Sequence, residues 1–413
     1  MRVEITPGTL SGHIDAVASK SHAHRLLIAA ALCDESPEVS ISTTSADIEA
    51  TRSCLAQLDH DIPSMDCGES GSTLRFMIPV TMALKNEAVF MGRGKLPYRP
   101  LNHLVTEMEK NGCQFEMYPA EGEDLQEICR IKGRLQAGDY YLPGDVTSQY
   151  ITGLLFALSL VDGSSIIHLS SPLESSKYVD MTLDVLRKFG VHVDKSERDG
   201  LLLYHTYGRQ KYCATGKIEA EGDWSNIAFW IIAGILNKDG FLHCHNLPQF
   251  TQQGDKAIIS LAKQMGGFIT YRNETCLLGR HELNAIDIDA SEIPDLVPIL
   301  AVAAATANGT THIYNAGRLR IKESDRLSAI CVNLTALGAD ITEEPEGLII
   351  RGVPQLKGGT VNGYNDHRIV MAMSIASLVS ETPVIIEGAE AVNKSYPEFF
   401  RDFKHLGGEV NVL

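Results

Sequence analysis

Ser19-Lys20-Ser21-His22-Ala23-His24-Arg25 runs straight into Leu26-Leu27-Ile28-Ala29-Ala30-Ala31-Leu32, and that junction decides how the chain is read. Polar and cationic residues followed by about two turns of good helix formers mark the start of a helix. The first backbone N–H groups of such a helix have no partner within it, and its dipole is positive at that end. Lys20, Ser21 and Arg25 stand there together, which suits a phosphate or carboxylate ligand. An ordinary capped helix has the same pattern. What separates the two readings is repetition.

Six times a polar or glycine-containing loop leads into an apolar helix, with starts near Lys20, Gly71, Thr147, Trp224, Pro294 and Asp366. After a shorter first interval they recur roughly every seventy residues. Each helix is followed by a β-rich run: Val39-Ser40-Ile41, Ala88-Val89-Phe90, Ile166-Ile167-His168-Leu169, Phe241-Leu242-His243, Thr311-His312-Ile313-Tyr314 and Val384-Ile385-Ile386. A second, amphipathic helix comes next, and in five of six cases it stops at a glycine: Gly112, Gly190, Gly266, Gly338 or Gly407. Glycine suits the left-handed residue that ends a helix. The expected fold is α/β, with two globular domains of three helix–strand repeats each, the first repeat shortened and the midpoint near Glu219–Gly222. Ring-shaped DNA clamps are also built from repeated αβ units, so a non-catalytic clamp-like scaffold is the alternative of another class. A clamp needs a basic inner face, whereas the cations here stand at helix starts.

The length, 413 residues, allows two sizeable cores. With 44% hydrophobic and 21% charged residues the chain reads as globular. A formal net charge of −16 argues against nonspecific binding to nucleic acid or to an anionic membrane surface. If the substrate is an anion, the cations must be gathered locally. Nine cysteines without a Cys-x-x-Cys pair suit a reducing compartment. The start, Met-Arg-Val-Glu-Ile-Thr-Pro-Gly, does not read as a signal peptide, and no apolar run reaches the ~18–20 residues of a membrane span. The expected location is cytoplasmic.

The loops before the helices are chemically unusual. Gly68-Glu69-Ser70-Gly71-Ser72-Thr73-Leu74-Arg75 offers small residues and backbone donors, so an anion can come close. Gly144-Asp145-Val146-Thr147-Ser148-Gln149 adds two hydroxyls and an amide, each also a possible N-cap. Asn365-Asp366-His367-Arg368 places a cation at the sixth start, where a salt bridge from Arg368 to Asp366 is the plain structural expectation. Arg318-Leu319-Arg320-Ile321-Lys322-Glu323-Ser324-Asp325-Arg326 is the densest cluster. A solvated charge run is the default for it. With Ser324 capping a helix that starts at Asp325, however, Lys322, Glu323 and Arg326 would surround one helix N-terminus. A carboxylate among cations stays ionised and competes with an anionic ligand, so Glu323 calls for an explanation, and proton transfer supplies one. Asp295, opening the apolar helix 296–305, is the other candidate acid or base, or a cap. Arg99 and Lys394 are single cations just before helices. His243-Cys244-His245 alternates along a strand with no further ligand nearby in sequence, and Gly92-Arg93-Gly94-Lys95 fits neither a dinucleotide fingerprint nor a P-loop. The sequence asks for no metal, flavin, nicotinamide or other cofactor.

Taken in order, these segments resemble the 5-enolpyruvylshikimate-3-phosphate synthase family of enolpyruvyl transferases. Ser19-Lys20-Ser21 with Arg25, Glu69 to Arg75, Arg99-Pro100, Thr147-Ser148-Gln149, Ile293-Pro294-Asp295, Arg320 to Arg326, Asn365-Asp366-His367-Arg368 and Lys394-Ser395-Tyr396-Pro397 carry the resemblance over nearly the whole chain. It implies two globes, each an inside-out α/β barrel of three repeats, closing on a cleft into which the six helix starts point. Residues 19–218 would form one, with most shikimate 3-phosphate contacts. Residues 1–18 plus 219–413 would form the other, with Asp295, Glu323 and several phosphoenolpyruvate-binding cations. Shikimate 3-phosphate would be held by Lys20, Ser21, Arg25, Thr147, Ser148, Gln149, Ser175, Asp295 and Lys322, with Tyr178 nearby. Phosphoenolpyruvate would be held by Lys20, Gly71, Arg99, Gln149, Arg326, Arg368 and Lys394. The catalytic groups implied are Asp295 as base, Glu323 as acid, and Lys20. Small-molecule substrates, a monomer and competition by glyphosate at Gly71 complete the expectation, with no nucleic-acid or membrane partner.

Two departures from the family pattern stand out. Glu69 occupies a position where many members have Asn. The segment Tyr314-Asn315-Ala316-Gly317-Arg318 is two residues longer than the common form, so the substrate-binding Asn of some members maps to Arg318 or to Asn315. The nearest competitor is the transferase acting on UDP-N-acetylglucosamine, which usually carries a reactive cysteine before the Arg-Pro segment. Gly92 to Pro100 contains none.

Overall fold

Every expected start opens a helix or a 3₁₀ turn in the computed structural model, which describes residues 1–237, 239–279 and 281–413. The chain divides into two compact units, Lys20–Ala220 and Met1–Ser19 with Glu221–Leu413. Lys20–Ala220 carries helices α1 (Lys20–Ala31), α2 (Ala46–Ala56), α3 (Gly71–Leu84), α4 (Asn102–Lys110), α5 (Ser148–Leu158) and α6 (Ser176–Lys188). α3 and α5 are apolar nearly all round and almost wholly buried, as helices at the centre of a core must be. α4 and α6 bury one face and carry charge on the other. Gly153 allows α3 and α5 to pack closely, because a Cβ there would collide with the Arg75 carbonyl oxygen.

The strands of this unit follow one rule. Ser64–Asp66 pairs parallel with Glu87–Gly92, which pairs antiparallel with Gln126–Gly133, which pairs antiparallel with Cys113–Met117. Asp139–Leu142, Ser165–Leu169, Leu201–Thr206 and Val193–Arg198 repeat that pattern. The first repeat is reduced to Glu38–Ser40 beside Lys217–Glu219, parallel. Each helix between parallel strands is the crossover that parallel pairing requires.

The other unit has α7 (Trp224–Leu236), α8 (Ile258–Gln264), α9 (Val297–Ala304), α10 (Arg326–Ala336), α11 (His367–Ala376) and α12 (Phe399–His405). Three four-stranded sheets repeat the parallel–antiparallel–antiparallel order. The first residues of the chain complete two of them. Gly12–Asp15 pairs with Phe241–His245, and Arg2–Thr6 lies between Val384–Glu387 and Glu409–Val412. α9 and α11 are buried along their whole length and α7 at every position but Ser225, and Trp230 of α7 stacks on Phe399 with ring centroids 4.9 Å apart. The five glycines expected to end helices all have φ between 76° and 96°.

Two local expectations are corrected. α10 starts at Arg326 and is capped by Asp325, whose carboxylate accepts from the Ser328 N–H at 3.1 Å. Ser324 does not cap it, because its hydroxyl donates to Asp366 Oδ2. Asp295 lies in the 3₁₀ turn Pro294–Leu296 ahead of α9 and caps neither element, because cations claim its carboxylate. Among the described residues no helix is long and apolar enough to cross a membrane.

Candidate active site

In Lys20–Ala220 the expected residues fall into two groups. At the first helix start, Lys20 Nζ donates to Asp47 Oδ2 at 2.8 Å, Asp47 being in the first turn of α2. Arg25, one turn further on, is 2% exposed. Its Nη1 donates to the Ser21 carbonyl at 2.7 Å, Nε to Thr182 Oγ1 at 2.9 Å, and Nη2 to Thr152 Oγ1 and the Tyr178 carbonyl. Burial pulls its pKa down to about 10, which leaves it charged at neutral pH. Ser175, buried and left-handed at φ 54°, occupies the N-cap position of α6. Three helices therefore hold one guanidinium in place.

The second group surrounds the start of α3. Ser70 caps that helix, and Thr147 caps α5 by accepting from the Gln149 N–H. Gly71 has no side chain because two guanidiniums converge there: a Cβ would stand 2.6 Å from Arg99 Nη1 and 3.1 Å from Arg75 Nη1. Arg75 Nη1 donates to Gln149 Oε1 at 2.7 Å, and Gln149 Nε2 donates to Ser72 Oγ at 2.9 Å. Gln149 is thereby oriented from both ends. Ser148 follows the cap in the first turn of α5 and is buried. The carboxylate of Glu69 lies against Gly94, across the turn that follows the strand Glu87–Gly92.

In the other unit Arg326 is the organising residue. Its buried guanidinium donates to Asp366 Oδ2, Asp295 Oδ1 and Glu323 Oε2, each at 2.8 Å. Arg368 donates from Nη2 to Asp295 Oδ2 at 3.1 Å and from Nη1 to the Asp295 carbonyl, while Lys322 Nζ stands 3.9 Å from Asp295 Oδ1. Three acids face three cations. Asp366 also caps α11 by accepting from the Arg368 N–H at 2.9 Å, so the guanidinium of Arg368 is aimed at Asp295 and the backbone of Arg368 at Asp366. Burial alone would raise the pKa of Asp295, but Arg368, Lys322 and Arg326 outweigh it and hold the carboxyl far below the usual range. Lys322 is pushed down to about 8, by burial first, with Asp295 opposing and Arg326 and Arg318 adding to the shift.

The remaining candidates lie nearby in sequence. Lys394 Nζ donates to the Asn365 carbonyl at 2.6 Å. Arg318 donates to the Ser291 carbonyl, and Asn315, left-handed at φ 54°, donates to Asp289 Oδ1. Arg320, counted with the charged run, binds Asp325, Glu343 and two carbonyls, which is structural work. The residues the sequence did not reveal are partners: Asp47, Thr152, Thr182, and Asp366 as the anchor of Arg326. Nothing in their spacing pointed to them, because each meets its partner only through the fold. Among the described residues no group of three or more His, Cys, Asp or Glu is arranged to hold a metal ion.

A family model described as EPSP synthase (3-phosphoshikimate 1-carboxyvinyltransferase) matches residues 59–403. A 3-phosphoshikimate 1-carboxyvinyltransferase of Clostridium acetobutylicum is 43% identical over 431 residues, covering 99% of this chain and 98% of the relative. One from Clostridium kluyveri is 42% identical over 428 residues with the same coverage. Among solved structures, an EPSP synthase from Acinetobacter baumannii aligns with a TM-score of 0.80 at 23% identity over 100% of both chains. The enolpyruvyl transferase NikO from Streptomyces tendae aligns with a TM-score of 0.76 at 17% identity, over 99% of this chain and 98% of that one. At these identities the two structures speak for the fold alone.

Proposed function

The chain belongs to the EPSP synthase family, and on that premise we propose how its residues transfer the enolpyruvyl group of phosphoenolpyruvate to the 5-hydroxyl of shikimate 3-phosphate, releasing phosphate. The reaction belongs to the shikimate pathway of aromatic biosynthesis. Ser21, Arg25, Thr147, Ser148, Gln149, Ser175 and Lys322 hold shikimate 3-phosphate. Gly71, Arg99, Gln149, Arg326, Arg368 and Lys394 hold phosphoenolpyruvate, and Lys20 serves both substrates. Asp295 takes the proton of the 5-hydroxyl as its oxygen bonds to C2 of phosphoenolpyruvate. Glu323 protonates the methylene carbon, giving a tetrahedral intermediate. Glu323, now a carboxylate, takes back a proton from the new methyl group while Asp295 gives its proton to the leaving phosphate as the C2–O bond to phosphate breaks, and the enol ether is restored.

The observation that carries this reading is the single guanidinium of Arg326, which binds both Asp295 and Glu323. It fixes the proposed base and acid relative to each other, so orientation is set before substrate arrives. It also explains how the base is kept in reserve. Held by Arg368 and Lys322, Asp295 is a poor proton acceptor; anionic substrates that claim those cations restore its basicity. Each unit is read as one inside-out α/β barrel, a reading supported by its repeated sheet pattern. We take the working form to be a monomer, and nine cysteines without a disulfide support a cytoplasmic location.

Glu323→Gln tests the assignment. The amide still hydrogen-bonds but delivers no proton, so both substrates bind at wild-type affinity while kcat falls by about 10²–10⁴-fold. Turnover at the wild-type rate would remove Glu323 from the chemistry.

A further inference from the structure

Asp255 lies outside every group assigned above. It sits in the 3₁₀ turn Gly254–Ala257 just before α8 and is 2% exposed. Ser225, in the first turn of α7, donates its hydroxyl to Asp255 Oδ2. Oδ1 is buried and has no hydrogen-bond partner among the described residues. An ionised carboxylate left in that state loses the hydrogen bonds that water gave it, and such a group in a folded protein calls for a role.

The charges that face it are Asp295 from the turn Pro294–Leu296, Arg368 from α11 and Asp223 from the cap of α7. Lys256, on its own turn, is directed instead to the Gln249 carbonyl and the ring of Tyr271. The neighbouring ion-paired cluster already balances three acids against three cations. A fourth carboxylate charge there has no cation of its own. Burial first, then Asp295, push the Asp255 carboxyl up to about 7, against the pull of Arg368 and of the Ser225 hydroxyl. It therefore changes charge near neutral pH, beside a residue assigned to the substrate.

We infer that Asp255 is a positioning residue acting through Arg368: protonated, it adds no negative charge beside that guanidinium, and ionised, it competes with an anionic substrate for it. The inference rests on the reading of Arg368 as a phosphoenolpyruvate ligand. Its sign follows from the charge. As pH rises through about 7, Asp255 gains a negative charge and the KM for phosphoenolpyruvate rises, with little change in kcat. Asp255→Asn keeps the shape without the charge and holds KM low.

The test is the ratio of wild-type to Asp255→Asn KM for phosphoenolpyruvate between pH 6 and pH 9, in which the ligand's own ionisation cancels. The expected ratio is near one at the acid end and about three to ten at the alkaline end. A ratio that stays flat overturns the inference. Ser225→Ala supplies an independent arm, because removing the hydroxyl donor weakens the ionised form and moves the KM inflection to higher pH. An inflection that stays in place, or moves down, also overturns it, including the case in which Asp255→Asn does not fold. A carboxyl carbon-13 NMR titration of wild-type protein, with the resonance identified by its loss in Asp255→Asn or its shift in Ser225→Ala, needs no activity. A wild-type protein without turnover would sink the transferase reading while the NMR midpoint near neutrality still stood. An active enzyme with a flat KM ratio would sink the inference alone.

Discussion

Arg326 shows how one buried cation can serve a reaction by holding acids. With 1% of its side chain exposed, it satisfies Asp295, Glu323 and Asp366 together; removing one partner of such a buried pair typically costs 3–5 kcal/mol. Lys322 works differently, as a titrating cation. Its ammonium is lost as pH rises through about 8, so kcat/KM for shikimate 3-phosphate, which reports the free enzyme, falls across that range. Lys322→Arg keeps its charge and should flatten the limb in a pH-rate profile; an unchanged limb would assign it elsewhere. At Gly71 two guanidiniums converge on a residue without a side chain, the site proposed for phosphoenolpyruvate. Glyphosate should therefore raise the apparent KM for phosphoenolpyruvate in initial-rate assays and leave the maximal rate unchanged, and inhibition indifferent to phosphoenolpyruvate concentration would count against that site. The cations were legible at this scale because they stand at helix starts. Their partners were not: Asp47 is 27 residues from Lys20 in sequence, and only the packing of α2 on α1 brings the two together.

Hydroxyl and carboxylate caps define where the helices begin. Ser70, Thr147, Asp223, Asp325 and Asp366 each accept a backbone N–H near the start of a helix, typically worth about 1 kcal/mol apiece. The hydrophobic period and the terminal glycines placed these elements from sequence, since both signals are local. Ser324 misled because Ser and Asp cap about equally well and they are adjacent here; Asp366 drew the serine hydroxyl away. Close packing between elements was also illegible, as Gly153 shows. Gly153→Ala gains about 1 kcal/mol of helix propensity, but its Cβ meets the Arg75 backbone, which cannot swing aside, and overpacking costs about 1–3 kcal/mol. The net expectation is a lower midpoint in thermal or urea unfolding; a variant as stable as wild type would mean that α3 and α5 move apart easily.

Across the whole molecule a chain of net charge −16 binds anions only by concentrating its cations at helix starts, several of them held by internal carboxylates, hydroxyls or carbonyls. The sheet rule repeated five times, with a two-stranded remnant for the first repeat, was visible in the sequence as a period. That the opening strands complete sheets of the C-terminal part left no local mark; only the family resemblance implied that residues 1–18 go with 219–413. The central claim is that one chain joins two anions and expels a third. Phosphate release should be followed with shikimate 3-phosphate and phosphoenolpyruvate supplied together and each alone. Sustained release only from the pair, matched mole for mole by loss of phosphoenolpyruvate, is the expected result; release from phosphoenolpyruvate alone at the same rate, or none from the pair, would contradict it.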